Sequence, residues 1–150
     1  MGLRPSLPGT LPRVPPDSPP GQPAFRYLER SRRPSAPQSR LLSWLAEAVG
    51  QELVDQTADA TVVGECTCGC SSVRLSTPAA PLPEETTIRL SDSGRADHLA
   101  VSSSGRGPDG HVSVVLHVVE GRLYELELFA GEGVAVDPAT VTALTRPAIG

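Results

Sequence analysis

The sequence predicts an α+β fold in which one main N-terminal helix, with a short continuation, packs on a small antiparallel sheet of about four to six strands. Three observations predict it. Leu41, Leu42, Trp44, Leu45, Ala48 and Val49 recur at helical spacing and make one apolar stripe. Val112, Val114, Leu116 and Val118 recur at every second residue, the period of a strand with one buried face. Between these segments lie short β-rich runs punctuated by Gly, Ser, Asp and Pro, the residues that make turns.

The ends of the chain differ from its middle. Of 16 prolines, ten lie in residues 1–37. Residues 1–40 hold seven Arg against Asp17 and Glu29, whereas residues 41–150 hold six Arg against fifteen acidic residues. Motifs such as Val14-Pro15-Pro16 and Ser18-Pro19-Pro20 fix φ and remove amide donors, which favours solvated chain over packing. Residues 1–37 are therefore predicted to be a disordered Pro/Arg-rich extension, residues 38–137 the small α+β domain, and residues 138–150 a flexible C-terminal tail. Within the extension, Phe25 to Arg33 suits a transient helical turn that Pro34 and Pro37 end.

Ser39 is the expected N-cap of the main helix, with Trp44 as a core anchor. Gly50 should end or kink it, and Gln51 to Thr57 should continue it. Thr61-Val62-Val63 opens a strand that reaches Cys66, and Val73 and Leu75 mark the return strand, so the cysteines sit at a hairpin tip. Residues 77–85 read as a loop. Thr86 to Leu90 and Asp97 to Val101 read as strands on their β-branched content, and Ser102 to Gly110 as a flexible connection.

For His111 to Val119 and Arg122 to Phe129, a two-residue Glu120-Gly121 turn would mix the faces. A three-residue loop from Val119 to Gly121 instead pairs Leu116 with Tyr124 and Val114 with Leu126, with Tyr124, Leu126 and Leu128 inward. His111, Ser113 and His117 then share the polar face with Glu125 and Glu127.

Composition narrows the function. No apolar run approaches the ~20 residues of a membrane-spanning helix, and the N-terminus lacks the continuous apolar stretch of a secretory signal, so a cytoplasmic protein with no membrane contact is expected. Nucleic acid is disfavoured as a partner. The domain is acidic, and after the extension its only aromatic residues are Trp44, Tyr124 and Phe129. All thirteen Lys+Arg are Arg, which reflects codon bias before recognition chemistry. Gly105-Arg106-Gly107 and Gly131-Glu132-Gly133 lack the strand-to-helix setting and the Lys of a phosphate loop. Three cysteines within five residues cannot make the distributed framework of a disulfide-stapled secreted domain.

Val62-Val63-Gly64-Glu65-Cys66-Thr67-Cys68-Gly69-Cys70, with the later Gly121-Arg122-Leu123-Tyr124-Glu125-Leu126-Glu127, resembles a group of small, uncharacterised bacterial proteins. These pair a Cys-Gly-Cys hairpin with a C-terminal Gly-Arg-Leu-x-Glu-Leu-Glu strand. Ser71 stands where that group carries proline. The resemblance spans roughly residues 40–130; it implies a domain boundary and supplies no mechanism.

Cys66, Cys68 and Cys70 are the candidate metal ligands, since thiolates suit zinc, with His98, His111 or His117 as a fourth. Spacing opposes this. Alternate strand side chains lie ~6.6–7 Å apart, whereas two thiolates bound at ~2.3 Å to one tetrahedral zinc lie ~3.8 Å apart. Only a sharp turn through Gly69 would gather them. On spacing, a structural role as small semi-buried side chains ranks ahead of zinc, and zinc ahead of thiol redox chemistry or Cys–His catalysis. Glu125 and Glu127 share a strand face and read as solvated, as do His111 and His117. No catalytic residue or cofactor is predicted, zinc being the one that the cysteines would admit. The expected function is a small non-enzymatic binding or regulatory protein with a protein partner; a zinc-binding domain and a thiol redox protein are the alternatives.

Overall fold

The computed structural model describes residues 25–150, so the disorder expected for residues 1–24 lies outside the described residues. The element order is β1 (Phe25–Arg32), α1 (Ala36–Val49), α2 (Gln51–Ala58), β2 (Thr61–Cys66), β3 (Val73–Ser76), α3 (Glu84–Leu90), β4 (His98–Gly107), β5 (Gly110–Val119), β6 (Arg122–Phe129), a 3₁₀ turn (Pro138–Thr140) and β7 (Ala148–Ile149). The strands form one seven-stranded sheet in the order β1-β2-β3-β6-β5-β4-β7. Every pairing is antiparallel. The fold is α+β as expected, with more strands than the four to six expected and with a third helix.

The N-cap of α1 is Ser35, four residues before the expected Ser39. The Ser35 hydroxyl accepts the Gln38 N–H at 3.2 Å, and the Gln38 side chain accepts the Ser35 N–H at 2.9 Å, a reciprocal capping box. Pro37 sits in the first turn, where no amide hydrogen is needed, and so helps to start the helix. Gly50, at φ 146°, breaks α1 from α2 as expected. Leu41, Leu42 and Leu45, together with Leu53 of α2, are essentially inaccessible. Each such leucine contributes ~1.5–3 kcal/mol over its exposed state. They lie under β4, β5 and β6 against Leu99, Val114, Leu116 and Leu126. Trp44 is a correction: it is 39% exposed, and its indole donates to the Thr145 carbonyl at 3.3 Å.

Five further expectations are corrected. Phe25–Arg32 forms an edge strand on β2 where a helical turn was expected; its partners lie 30 or more residues away and leave no local trace. Thr86–Leu90 belongs to a helix, opened by Pro83 and the acidic Glu84 and Glu85. β4 continues through Ser102–Gly107, the stretch expected to be flexible, because β5 pairs with it residue by residue to Gly107↔Gly110. Residues 138–150, expected to be a loose tail, contain the 3₁₀ turn and β7, which pairs with Val101 and Ser102.

The β5–β6 register is the fifth. The turn is the two-residue Glu120-Gly121, and Val118 pairs with Leu123; a bulge at Tyr124 then shifts the ladder so that Leu116 pairs with Leu126 and Val114 with Leu128. The face mixing foreseen for this turn is thus cured inside the strand and not at its tip. Leu123, Leu126 and Leu128 point inward, and Tyr124 joins the outer face.

Candidate functional site

The thiol hairpin joins β2 to β3, closed by the Cys66 N–H to the Ser72 carbonyl at 3.0 Å. The chain between them reverses through Gly69 at φ 89° and Ser71 at φ 73°, both left-handed. That is the bend the spacing argument required. The Cys66 and Cys68 sulfurs lie 2.8 Å apart, and all three sulfurs lie within 4.8 Å of one another. The Cys68 N–H points at the Cys66 sulfur and the Cys70 N–H at the Cys68 sulfur, each at 3.4 Å, so backbone donors face inward on the cluster. The three cysteines are therefore near enough to hold one metal ion.

The base of the turn is anchored by Ser71 and by Ser72, neither of which the sequence marked as structural. Ser72 is buried; its Oγ accepts the Leu128 N–H at 3.0 Å and takes the Cys70 thiol at 3.3 Å. Ser71 Oγ accepts the Val136 N–H at 3.1 Å. Exposure grades across the cluster, with Cys68 exposed, Cys66 intermediate and Cys70 buried. Beside it opens a groove of about 350 Å³ lined by Arg32, Gln38, Cys66, Gly69 and Ser71 among others. Glu65 is held by Arg26 at 2.7 Å and by Arg32 at 3.5 Å.

The thiols are not equivalent. Burial first, and then the hydrogen bond with Cys68, push the Cys66 thiol up to about 12. Burial also works against the Cys70 thiolate, but hydrogen bonds with Cys68 and Ser72 outweigh it and hold Cys70 below the ordinary thiol value. The first proton to leave the pair therefore leaves Cys70.

None of the three histidines joins the thiol group. His98 and His117 instead meet each other on the outer face of the sheet, Nε2 to Nδ1 at 3.2 Å, while His117 Nε2 faces Glu127 Oε1 at 2.8 Å. His117, Glu125 and Glu127 form a second group with ligand atoms within 4.8 Å of one another. This corrects the reading of a solvated face for His117, Glu125 and Glu127, which are only partly exposed, as is His98. His111 remains exposed, as expected. The bond to Glu127 raises His117 against the opposing effect of burial, and the same bond lowers Glu127. Burial raises Glu125; burial and then the charge of His117 lower His98.

Next to this group lies Arg74, whose guanidinium carbon is 4.1 Å from the ring centres of both Phe25 and Tyr124. It donates to the Tyr124 hydroxyl at 2.7 Å and stands 4.0 Å from Glu125. The Tyr124 contact was not legible beforehand, since Tyr124 faces outward only because of the bulge. No described helix is long and apolar enough to cross a membrane. Comparison with protein-family models, with curated proteins and with solved structures finds no match.

Proposed function

We propose that the chain is a small non-enzymatic binding domain whose hairpin holds a thiophilic metal ion, zinc in the ordinary case, through Cys66, Cys68 and Cys70. One observation carries this reading: the turn through Gly69 draws the three sulfurs within 4.8 Å of one another, against the ~6.6–7 Å of alternate strand side chains. Small shifts in side-chain torsion bring such sulfurs to the ~3.8 Å that two thiolates on one zinc require. The donor set is three soft sulfurs on a turn anchored by Ser71 and Ser72, beside an open groove that leaves room for a further ligand. The ion's charge would reverse the penalty that keeps Cys66 protonated, so binding releases protons.

The test is metal analysis of the full chain purified under reducing conditions, together with cobalt substitution. About one equivalent of metal per chain and a thiolate-to-cobalt charge-transfer absorption are expected, both lost in Cys68→Ser. Protein that shows neither, and takes up no metal in titration, would overturn the reading.

The 2.8 Å approach of Cys66 and Cys68 favours a second reading, in which these two thiols give up two protons and two electrons to a small-molecule disulfide and close a reversible bond. Metal-free protein with a labile Cys66–Cys68 disulfide would select it.

A further inference from the structure

The outer sheet face carries two imidazoles whose nitrogens face each other across a hydrogen bond that a metal ion could replace. His98 and His117 come from neighbouring strands and are diagonal partners, because His98 pairs with Val119 and His117 with Ala100. The nitrogens that face each other are His98 Nε2 and His117 Nδ1, 3.2 Å apart. Two nitrogens bound at 2.0–2.1 Å to one ion lie about 2.9 Å apart at an octahedral angle and about 3.4 Å apart at a tetrahedral one. The observed spacing falls between them.

The second nitrogen of His117 is already committed. Its Nε2–H donates to Glu127 at 2.8 Å, which fixes the tautomer and leaves Nδ1 as a lone pair directed at His98. A carboxylate behind a ligating histidine is the arrangement that orients imidazoles on metals and raises their basicity. Glu125 lies opposite His117 on β6 and adds negative charge beside the same point, offset by Arg74 on its far side. Both imidazoles are partly exposed, so a hydrated ion can reach them and keep its remaining waters.

We propose that His98 Nε2 and His117 Nδ1 form a site for a borderline divalent transition-metal ion, of the zinc, nickel or copper(II) class, with Glu127 as the residue that positions His117. The site is separate from the cysteine hairpin and does not depend on it.

The probe is zinc, added to the full chain under reducing conditions, with the ring nitrogens followed by long-range proton–nitrogen correlation spectra. Zinc is expected to shift His98 Nε2 and His117 Nδ1 while leaving His111 on the same face unmoved. His98→Ala should abolish the His117 shift, and Glu127→Gln should weaken zinc binding at this site about 10–100-fold. Cys68→Ser should remove the thiolate-to-cobalt absorption and keep the imidazole shifts, so failure of the hairpin reading is distinct from failure here. Rings that do not respond to zinc in the unmutated chain, or a response shared equally by His111, would overturn the proposal.

Discussion

The side-chain amide of Gln56 donates to the carbonyl of Gly121 at 2.7 Å, tying α2 to the β5–β6 turn across 65 residues of sequence. Gln56 is fully buried and makes three further bonds. Its amide donates to the Ala80 carbonyl, its Oε1 accepts the Leu123 N–H at 2.9 Å, and its own carbonyl accepts the Thr77 hydroxyl. A buried glutamine is tolerable only when so fully engaged.

Gln56→Leu keeps the volume and removes these side-chain bonds. The Gly121 carbonyl still accepts the Leu82 N–H, but the Leu123 N–H is left without a partner. The expected cost is about 1–3 kcal/mol of unfolding free energy, measured by urea denaturation. An unchanged midpoint would show that water replaces the glutamine.

Two glycines separate backbone strain from crowding. At Gly121, φ is 81° and an added Cβ would stand 2.8 Å from the Leu82 carbonyl oxygen and 2.8 Å from Pro81. At Gly69, φ is 89° and nothing lies within 4 Å. Gly69→Ala should cost only the left-handed penalty, ~1–2 kcal/mol. Gly121→Ala should cost more in the same denaturation experiment; equal costs would mean that the Pro81–Leu82 segment yields freely.

Alkylation should distinguish the thiols. With the Cys66 thiol pushed up to about 12, its thiolate is scarce at pH 8. Mass spectrometry of metal-free, reduced protein should show the exposed Cys68 labelled before Cys66, with the buried Cys70 shielded until unfolding. Bound zinc should protect all three. Early labelling of Cys66 would contradict the hydrogen-bonded arrangement.

The His117–Glu127 pair should give a defined pH dependence in chelator-treated protein. His117 is raised by its bond to Glu127, so its contribution is complete below its ordinary value near 6.5 and fades as pH rises through the raised one. Glu127 is lowered, so its contribution is present above about 4.5 and fades as pH falls through the lowered value. The pair therefore helps most at mildly acidic pH. The stability lost in Glu127→Gln should be greatest near pH 5–6, at a few tenths to about 1 kcal/mol for a partly exposed pair, and should shrink above neutrality. A loss independent of pH would assign Glu127 a packing role instead.

What the sequence disclosed was local and periodic. The α1 stripe, the Gly50 break, the cysteine hairpin and the inward face of β5 each show within a short window. What it concealed depended on partners far away. Gly105 reads as part of a flexible connection, yet it lies within β4 opposite Val112, and glycine is needed there because a Cβ would meet the Thr142 carbonyl and Val141, both at 2.9 Å. Thr86-Thr87-Ile88 suggests a strand by β-branching, and α3 is too short for helical periodicity to outvote it. For the thiols, the sequence posed the right condition, a bend at Gly69, without being able to say whether it is met. The encounter of His98 with His117 follows only from the β4–β5 register.

The two rims of the sheet are of unequal character. One is β1, where Arg26, Glu29, Arg30 and Arg32 all lie exposed; the other is β7, only two residues long. A second chain adding a strand beside β1 would have to crowd arginines against its own side chains, and one adding beside β7 would find almost no ladder to extend. Among the described residues, the outer face is thus open to ligands, while neither border presents a long uncharged ladder.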